Sequence, residues 1–286
     1  EAYARELIMQ ATGRAFPFEV IATATWTAGF TLVAERYADS HRRVFLAGDA
    51  AHLFTPTGGQ GYNTAVDDAA NLGWKLAAMC QGWGGPQLLA TYEIERKPIG
   101  HRNTGFARAM ADSIGRMVLP AELEEDSAAG VAARIAVGQQ LTEHCAREFD
   151  IPGIHFGVFY DGSPIVHNEQ GATPADDWHH YTPHATPGAR APHLWVDDGI
   201  SIFDRFGRDF TLLKLGSTRI DTRAIEVAAA TRGVPLSIVD IPGDDARALY
   251  AADLVLIRPD HHVAWRGDRI ESPAQLIAMV TGAPVS

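Results

Sequence analysis

Residues 48–63 read Gly-Asp-Ala-Ala-His-Leu-Phe-Thr-Pro-Thr-Gly-Gly-Gln-Gly-Tyr-Asn, and this stretch decides the fold of the first half of the chain. It follows an apolar run at 43–47, which predicts a strand of a buried parallel sheet. From 61 to 81 apolar residues recur at helical spacing. Strand, glycine-rich loop and helix N-terminus therefore meet at Asp49, where glycines admit close backbone approach and the helix offers free N–H groups. We expect a polar cofactor there.

The same stretch resembles a known cofactor motif. The shared residues are Gly48-Asp49-Ala50-Ala51-His52, Pro56, Gly58-Gly59-Gln60-Gly61-Tyr62-Asn63 and Asp68-Ala69-Ala70-Asn71-Leu72-Gly73-Trp74-Lys75-Leu76. This pattern resembles the second FAD-binding motif of single-component flavoprotein aromatic hydroxylases, the relatives of para-hydroxybenzoate hydroxylase and phenol hydroxylase. The alternative is a glycine turn and helix cap in an unrelated α/β protein, which does not explain Asp49, Pro56 and Asn63 together.

The resemblance implies an FAD-dependent monooxygenase that uses NAD(P)H and O₂ to hydroxylate a small aromatic substrate, phenolic or polyketide. Asp49 would accept hydrogen bonds from ribityl or ribose hydroxyls, and N–H groups near Gly61 would face the pyrimidine edge of the flavin. Pro56 would lie beside the ring. The expected cofactor-binding residues are Gly48, Asp49, Pro56, Gly58, Gly59, Gln60, Gly61, Tyr62 and Asn63.

No catalytic residue is assigned, because the groups that activate the substrate differ between branches of this family. Trp26 and Phe30 are candidates for the substrate pocket by position, and core aromatic residues are an equally good interpretation. Two competing functions stay open. One is another flavoprotein of the superfamily, such as a halogenase or a reductase, and the other is a non-catalytic structural or oligomerisation fragment.

The C-terminal part of the chain has a second resemblance. Its residues are Arg190-Ala191-Pro192-His193-Leu194-Trp195, Asp198-Gly199, Phe206-Gly207, Phe210-Thr211-Leu212-Leu213 and Arg258-Pro259-Asp260. They resemble the thioredoxin-like domain of the phenol hydroxylase branch. Candidate strands at 210–215, 236–241 and 254–257 alternate with candidate helices at 222–231 and 273–281. Without a cysteine pair, this domain is expected to be structural, covering the flavin domain or joining subunits of a homodimer.

The organisation of the chain follows from both resemblances. The fold class is α/β: the C-terminal portion of an FAD-binding, glutathione-reductase-like Rossmann domain, followed by a thioredoxin-like domain. We expect residues 1–150 to hold the FAD and substrate region, 151–198 an extended linker, and 199–286 the thioredoxin-like domain. The family's N-terminal strand–GxGxxG–helix unit, which holds the FAD pyrophosphate, is not found in the sequence. The expectation is therefore a chain without the N-terminal half of such an enzyme.

Composition narrows the other possibilities. The formal net charge of −11 argues against nucleic acid and anionic membrane surfaces as partners. The two cysteines, Cys80 and Cys145, are far apart and in no CxxC pattern, which favours a reducing cytoplasm over a disulfide framework. We expect both to sit as small apolar residues rather than as reactive thiols. No stretch is long and apolar enough to span a bilayer.

Local patterns add further expectations. Helices are predicted at 2–12, 101–117 and 128–149, and strands at 16–26 and 30–34. A further helix is predicted from 86, and Pro98 is expected to interrupt or kink it. The charge run 93–97 predicts an exposed helix face. Asp68 is expected to cap or pin its helix, and His52 to have a packing or hydrogen-bonding role near the loop. The acidic and histidine clusters at 176–180 and 260–262 lack metal-ligand spacing, so solvated loops and no metal are predicted.

Overall fold

The computed structural model describes residues 1–24, 30–169, 175–197, 199–216 and 220–284, and every structural statement below concerns these residues. The first half is mainly helical. Its elements are α1 (Ala2–Thr12), β1 (Leu32–Val33), β2 (His52–Leu53), α2 (Gln60–Gln81), α3 (Ala90–Gly115), α4 (Ala128–Phe149) and α5 (Pro152–Phe156). The predicted helices at 2–12, 61–81 and 128–149 are confirmed within one residue. Helix α2 stops at Gly82, whose φ of 84° is the left-handed conformation that ends helices.

Two predicted strands of the first half are wrong. Residues 16–24 form no strand, and the rest of the predicted segment, with Trp26, lies outside the described residues. Residues 43–47 form no buried strand either, since Val44 is 63% exposed. Phe45 makes an isolated bridge with Ala38, and the Leu46 N–H donates to the Tyr37 carbonyl at 2.8 Å. Within the described chain the run pairs with a nearby turn rather than with a neighbouring strand. The second candidate strand, 30–34, shrinks to β1, which pairs antiparallel with β2.

Helix α3 runs without a break through Pro98, so the predicted interruption is wrong. Proline removes one backbone donor and crowds the carbonyl four residues earlier, which costs a helix about 3 kcal/mol. Both flanks of Pro98 are nevertheless held by burial, because Glu95, Arg96, Ile99 and Gly100 are all inaccessible to solvent. Packing on both sides therefore outweighs the local preference, and the 26-residue helix is about 39 Å long.

The second half is built around a four-stranded sheet. Its elements are β3 (Trp195–Asp197), β4 (Ile200–Ser201), β5 (Phe210–Leu215), α6 (Arg223–Thr231), β6 (Leu236–Ile241), α7 (Asp244–Tyr250), β7 (Leu254–Ile257), β8 (Val263–Gly267) and α8 (Pro273–Val280). The strand order in the sheet is β6-β5-β7-β8. Strands β5 and β6 are parallel, β7 pairs antiparallel with β5, and β8 pairs antiparallel with β7. Helices α6 and α8 pack on one face and α7 on the other.

This topology confirms the predicted thioredoxin-like domain. Strands β5, β6 and β7 have the predicted limits. Helix α7 was not predicted, because seven residues are too few to show a helical period. The three domain boundaries themselves stay predictions.

The two halves share a core. Trp74 of α2 and Trp83 stack with their ring centroids 6.3 Å apart, and Phe210 of β5 meets both rings edge-on. The segment after α2 is also bonded to the end of α8, because the Gly85 N–H donates to the Thr281 carbonyl at 2.7 Å. The C-terminal half of α2 is thus embedded beside the second sheet, and its N-terminal half reaches the glycine loop.

Both cysteines are free and exposed. Cys80 lies at the end of α2 and Cys145 on the outer side of α4. Among the residues described, no helix combines the length and the apolar character needed to cross a bilayer.

Candidate functional site

The glycine-rich loop turns on two consecutive residues with left-handed backbone. Gly58 has φ 70° and Gly59 has φ 63°, a region that side chains other than hydrogen rarely adopt. A Cβ on Gly58 would also lie 2.6 Å from the Phe106 ring, whereas a Cβ on Gly59 would meet open space. Two reasons therefore require glycine at position 58: the positive φ and the close contact with Phe106. At position 59 only the positive φ requires it.

The N-terminus of α2 has no side-chain cap within the described chain. The two nearby amide side chains do not accept from the helix N–H groups but donate to carbonyls of the loop. Gln60 Nε2 donates to the Gly58 carbonyl and Asn63 Nδ2 to the Gly59 carbonyl, each at 2.9 Å. The first N–H groups of a helix lack an acceptor within it and carry a partial positive charge. The first turn of α2 is therefore left able to donate to a ligand.

Asp49 lies in a short 3₁₀ turn, Gly48–Ala50, that packs directly on α2. A Cβ on Gly48 would be 3.1 Å from the Cβ of Ala65, which explains a glycine with φ 58° at this contact. The Asp49 carboxylate is exposed and has no hydrogen bond or ion pair with any described residue. The Asp49 carboxylate, an acceptor without a protein partner, thus lies on an element that adjoins α2, whose first-turn N–H groups are donors.

Asp68, on the third turn of α2, pins this arrangement. One carboxylate oxygen accepts the Gly48 N–H at 3.1 Å and His52 Nε2 at 2.6 Å, and the other accepts Arg96 Nε at 2.8 Å. Burial alone would raise the pKa of Asp68, but the hydrogen bond from His52 and the charge of Arg96 hold that pKa below its ordinary value. The predicted pinning role of Asp68 and hydrogen-bonding role of His52 are confirmed.

Further along α2 and α3 lies a buried ionic network, centred on Glu95. Its carboxylate accepts Arg258 Nη1 and Nη2 at 2.7 and 2.8 Å and Lys75 Nζ at 2.7 Å. Asn71 Nδ2, at 2.7 Å, and Ser163 Oγ, at 2.6 Å, complete the set of donors. These side chains are inaccessible, so the prediction that residues 93–97 form an exposed face is wrong for its central residues.

Asp260 extends the network. The prediction that residues 260–262 form a solvated loop is wrong for this residue. Rather than belonging to a solvated loop, it is buried and accepts Arg258 Nη2 at 2.6 Å and Trp74 Nε1 at 3.0 Å. Burial would raise the pKa of Asp260, but the charge of Arg258 keeps that pKa well below its usual range. Burial lowers the pKa of Lys75 to about 8, although Glu95 opposes the shift. The thioredoxin-like domain is therefore joined to α2 and α3 by charges without access to water.

The remaining predicted site residues lie on the surface of the same loop, with one exception. Pro56 and Asn63 are exposed, Tyr62 is 79% exposed, and Gln60 is buried. Phe30, a candidate for the substrate pocket, is 58% exposed and so is not a core residue. The structure thus brings the nine predicted cofactor residues together in one loop and helix start.

Two contacts of the loop were not predicted. The Gly58 N–H donates to Glu148 of α4 at 2.7 Å, and Thr57 Oγ1 donates to the Ala107 carbonyl at 2.5 Å. No sequence signal links Glu148 to Gly58, a residue 90 positions away. Within the described ranges no group of three or more His, Cys, Asp or Glu residues is placed to hold a metal ion.

A groove of 760 Å³ lies away from the loop, between the turn at residues 36–42 and α3. Its lining residues with ionisable side chains are Arg36, Asp39, Arg42, Glu93, Lys97 and His101. None of the predicted cofactor or pocket residues that the structure describes borders this groove, so the loop and the groove are separate features.

Comparison with known proteins connects both halves of the chain to characterised families. Residues 2–107 match a family described as FAD binding domain, and residues 184–284 match one described as aromatic-ring hydroxylase, C-terminal. The FAD-dependent monooxygenase apdD of Emericella nidulans is 35% identical over 290 residues, which covers 94% of this chain and 46% of that protein.

Solved structures agree in fold. RebC-10x, described in native form and with K252c bound, superposes with a TM-score of 0.87 at 42% identity, covering 98% of this chain and 53% of its own. A ternary complex of aklavinone-11 hydroxylase with FAD and aklavinone gives a TM-score of 0.73 at 30% identity, covering 98% and 51%. The chain therefore spans about half the length of these relatives.

Proposed function

The chain belongs to the family of FAD-dependent aromatic-ring hydroxylases, and from that premise we propose that residues 48–63 form the flavin-facing side of its cofactor site. The observation that carries the proposal is the uncapped start of α2 beside the unpartnered Asp49 carboxylate. An acceptor and a set of backbone donors, adjoining and both free of protein partners, suit a ligand that has hydroxyls and a region of negative charge.

Each element of the loop has a physical role in this proposal. Asp49 accepts hydrogen bonds from the sugar-like hydroxyls of FAD, which anchor the cofactor along the 3₁₀ turn. The first-turn N–H groups of α2, near Gly61 and Tyr62, donate to the pyrimidine edge and favour negative charge there by roughly 0.3–2 kcal/mol. Pro56 and Tyr62, both exposed on the loop, become covered by the ring and help to exclude water from it.

We further propose that the enzyme that carries this chain hydroxylates an aromatic compound of the phenolic or polyketide kind. When bound, FAD would supply the redox chemistry: it is reduced by NAD(P)H and allows one oxygen atom of O₂ to be inserted into the aromatic ring of the substrate. Support for an aromatic substrate comes from the relatives, one of which is described as a ternary complex with FAD and aklavinone and another as bound to K252c. The thioredoxin-like domain has no cysteine, which supports a structural role.

Titration with FAD tests the cofactor site. Quenching of flavin fluorescence and the change in the flavin absorption spectrum give the dissociation constant of the purified enzyme and of its Asp49→Ala variant. A hydrogen bond to a charged group contributes about 1.5–3 kcal/mol, so we expect Asp49→Ala to raise the dissociation constant at least about tenfold. Asp161→Ala, at an exposed aspartate away from the loop, is the matched control and should bind like the original.

Two results would contradict the proposal. Either the original protein takes up no FAD, or Asp49→Ala binds FAD as tightly as the Asp161→Ala control does. Turnover of NAD(P)H that depends on a phenolic compound, with formation of a hydroxylated product, tests the proposed reaction separately from cofactor binding.

A further inference from the structure

A carboxylate from α4 holds the glycine turn in place. Glu148 Oε1 accepts the Gly58 N–H at 2.7 Å, and its Oε2 contacts His144 Nε2 at 2.7 Å. The second histidine nitrogen, Nδ1, lies 3.3 Å from Ser113 Oγ of α3. Both Glu148 oxygens are therefore engaged, which fixes the side chain in one orientation. Residues 108–183, which include α4, fall outside both of the ranges that match protein families.

We propose that Glu148 is a positioning residue for the cofactor site, which it serves by fixing the turn Thr57–Gly59 that leads into α2. This inference rests on the proposed function, since that function makes the start of α2 the part of the chain that faces the flavin. Glu148 acts through the backbone of Gly58 and not by touching the cofactor.

The turn needs an external restraint because of its backbone. Glycine loses more conformational freedom on folding than any other residue, and two glycines at positive φ follow each other here. The hydrogen bond that the turn makes to itself is a long one, from the Gly59 N–H to the Pro56 carbonyl at 3.2 Å. On the opposite side, the Phe106 ring limits the space beside Gly58. The charged hydrogen bond from α4 therefore fixes the turn together with the hydrogen bond from Thr57 Oγ1 to the Ala107 carbonyl of α3, and it is the one that acts on the backbone of Gly58.

The chemistry of the contact favours this assignment. A hydrogen bond from a backbone N–H to a carboxylate is about twice as strong as one to a neutral acceptor, and the Glu148 side chain is only 10% exposed. By accepting the Gly58 N–H, Glu148 also removes that donor from the set available to a ligand. The donors that stay available belong to α2, whose start is then held at a fixed place relative to Asp49.

The experiment compares three variants of the full enzyme. Glu148→Met removes the acceptor and keeps a long side chain with good helix propensity. Glu148→Gln keeps an acceptor oxygen for the Gly58 N–H. Glu143→Gln, at an exposed position of the same helix, is the matched control. Two quantities are measured: the FAD dissociation constant, and hydrogen exchange of peptides covering residues 55–61 in the FAD-free protein.

The expected result is a graded one. Glu148→Met should raise the exchange rate of the 55–61 peptide and the FAD dissociation constant about tenfold each, corresponding to loss of one charged hydrogen bond. Glu148→Gln should change each quantity by less than about threefold, and Glu143→Gln should change neither. If Glu148→Met does not fold, Glu148→Ala provides the same comparison with a smaller side chain.

The outcomes distinguish this inference from the function on which it rests. Unchanged exchange in Glu148→Met shows that Glu148 does not hold the turn, and overturns the inference. Faster exchange with an unchanged FAD dissociation constant also overturns it, because the held turn is then irrelevant to the cofactor. If the original protein does not bind FAD, the proposed function fails, and with it the role of Glu148 toward the flavin.

Discussion

The buried carboxylate of Glu95 is the position where a small chemical change is expected to cost the most stability. Glu95→Gln preserves the size of the side chain and removes one negative charge. In the original network two cations, Lys75 and Arg258, face two anions, Glu95 and Asp260, and none of the four has access to water. After the substitution two cations face one anion, so one buried positive charge is left uncompensated.

The magnitude follows from that imbalance. Removing one partner of a buried ion pair costs about 3–5 kcal/mol, because the desolvated partner stays buried without its counter-charge. In a protein of this size each kcal/mol lowers the melting temperature by about 2–4 °C, so the expected drop is roughly 6–20 °C. Glu95 also loses acceptor capacity toward Asn71 and Ser163, which acts in the same direction.

Urea denaturation followed by circular dichroism and tryptophan fluorescence measures the change, and Trp74 and Trp83 lie close to the network. Glu143→Gln, at an exposed site, should change the free energy of unfolding by less than about 0.5 kcal/mol. The double variant Glu95→Gln/Arg258→Met restores charge balance, so its loss should be smaller than the sum of the two single losses. A loss below about 1 kcal/mol in Glu95→Gln, or strict additivity in the double variant, would refute the electrostatic reasoning.

Three further predictions concern the core, the loop and the surface. Lys75→Met should become progressively less stable than the original protein as the pH rises from 8 to 10.5, because burial lowers the pKa of Lys75 from 10.5 to about 8; unfolding curves at several pH values measure the difference. Gly58→Ala should weaken FAD binding more than Gly59→Ala, because only the first new methyl group meets an aromatic ring, and titration with FAD compares them. A thiol reagent should modify Cys80 and Cys145 in the folded protein as quickly as in urea, because both are exposed.

The sign of the pH prediction follows from proton counting. Between pH 8 and 10.5 the unfolded chain holds a proton on Lys75 that the folded protein has released, so stability rises with pH in this window. The full shift corresponds to about 3 kcal/mol, and Lys75→Met lacks this contribution. A pH-independent difference between the two proteins would contradict it. Equal FAD affinities of the two glycine variants, and protection of either thiol from the reagent, would contradict the other two predictions.

Local sequence patterns predicted the elements whose stability is local or whose partners are close in the chain. Helix α2 has apolar residues such as Ala65, Leu72 and Leu76 at helical spacing, and Gly82 ends it. The strands of the thioredoxin-like domain pair with one another, so their apolar runs were sufficient. The similar run at residues 43–47 was misleading, because a strand also needs a neighbour and the sequence does not report one.

Contacts between distant residues were beyond what the sequence could predict. The burial of Glu95 depends on Arg258, which is 163 positions away, so a charged run on a helix looked like an exposed face. Pro98 was expected to interrupt or kink a helix that packing on both sides keeps intact. The site itself was predicted from the family motif around Asp49, but that motif contains no information about Glu148.

Helix α3 has a practical consequence for anyone who recombines relatives of this enzyme. Glu95 near its start binds a residue of the C-terminal half, and Phe106 and Ala107, roughly 17 Å further along, contact the glycine turn. A hybrid with its crossover between residues 115 and 258 inherits this helix from one parent and position 258 from the other. Such hybrids should be more stable when the second parent supplies arginine there, which makes that single position a simple criterion for choosing parents.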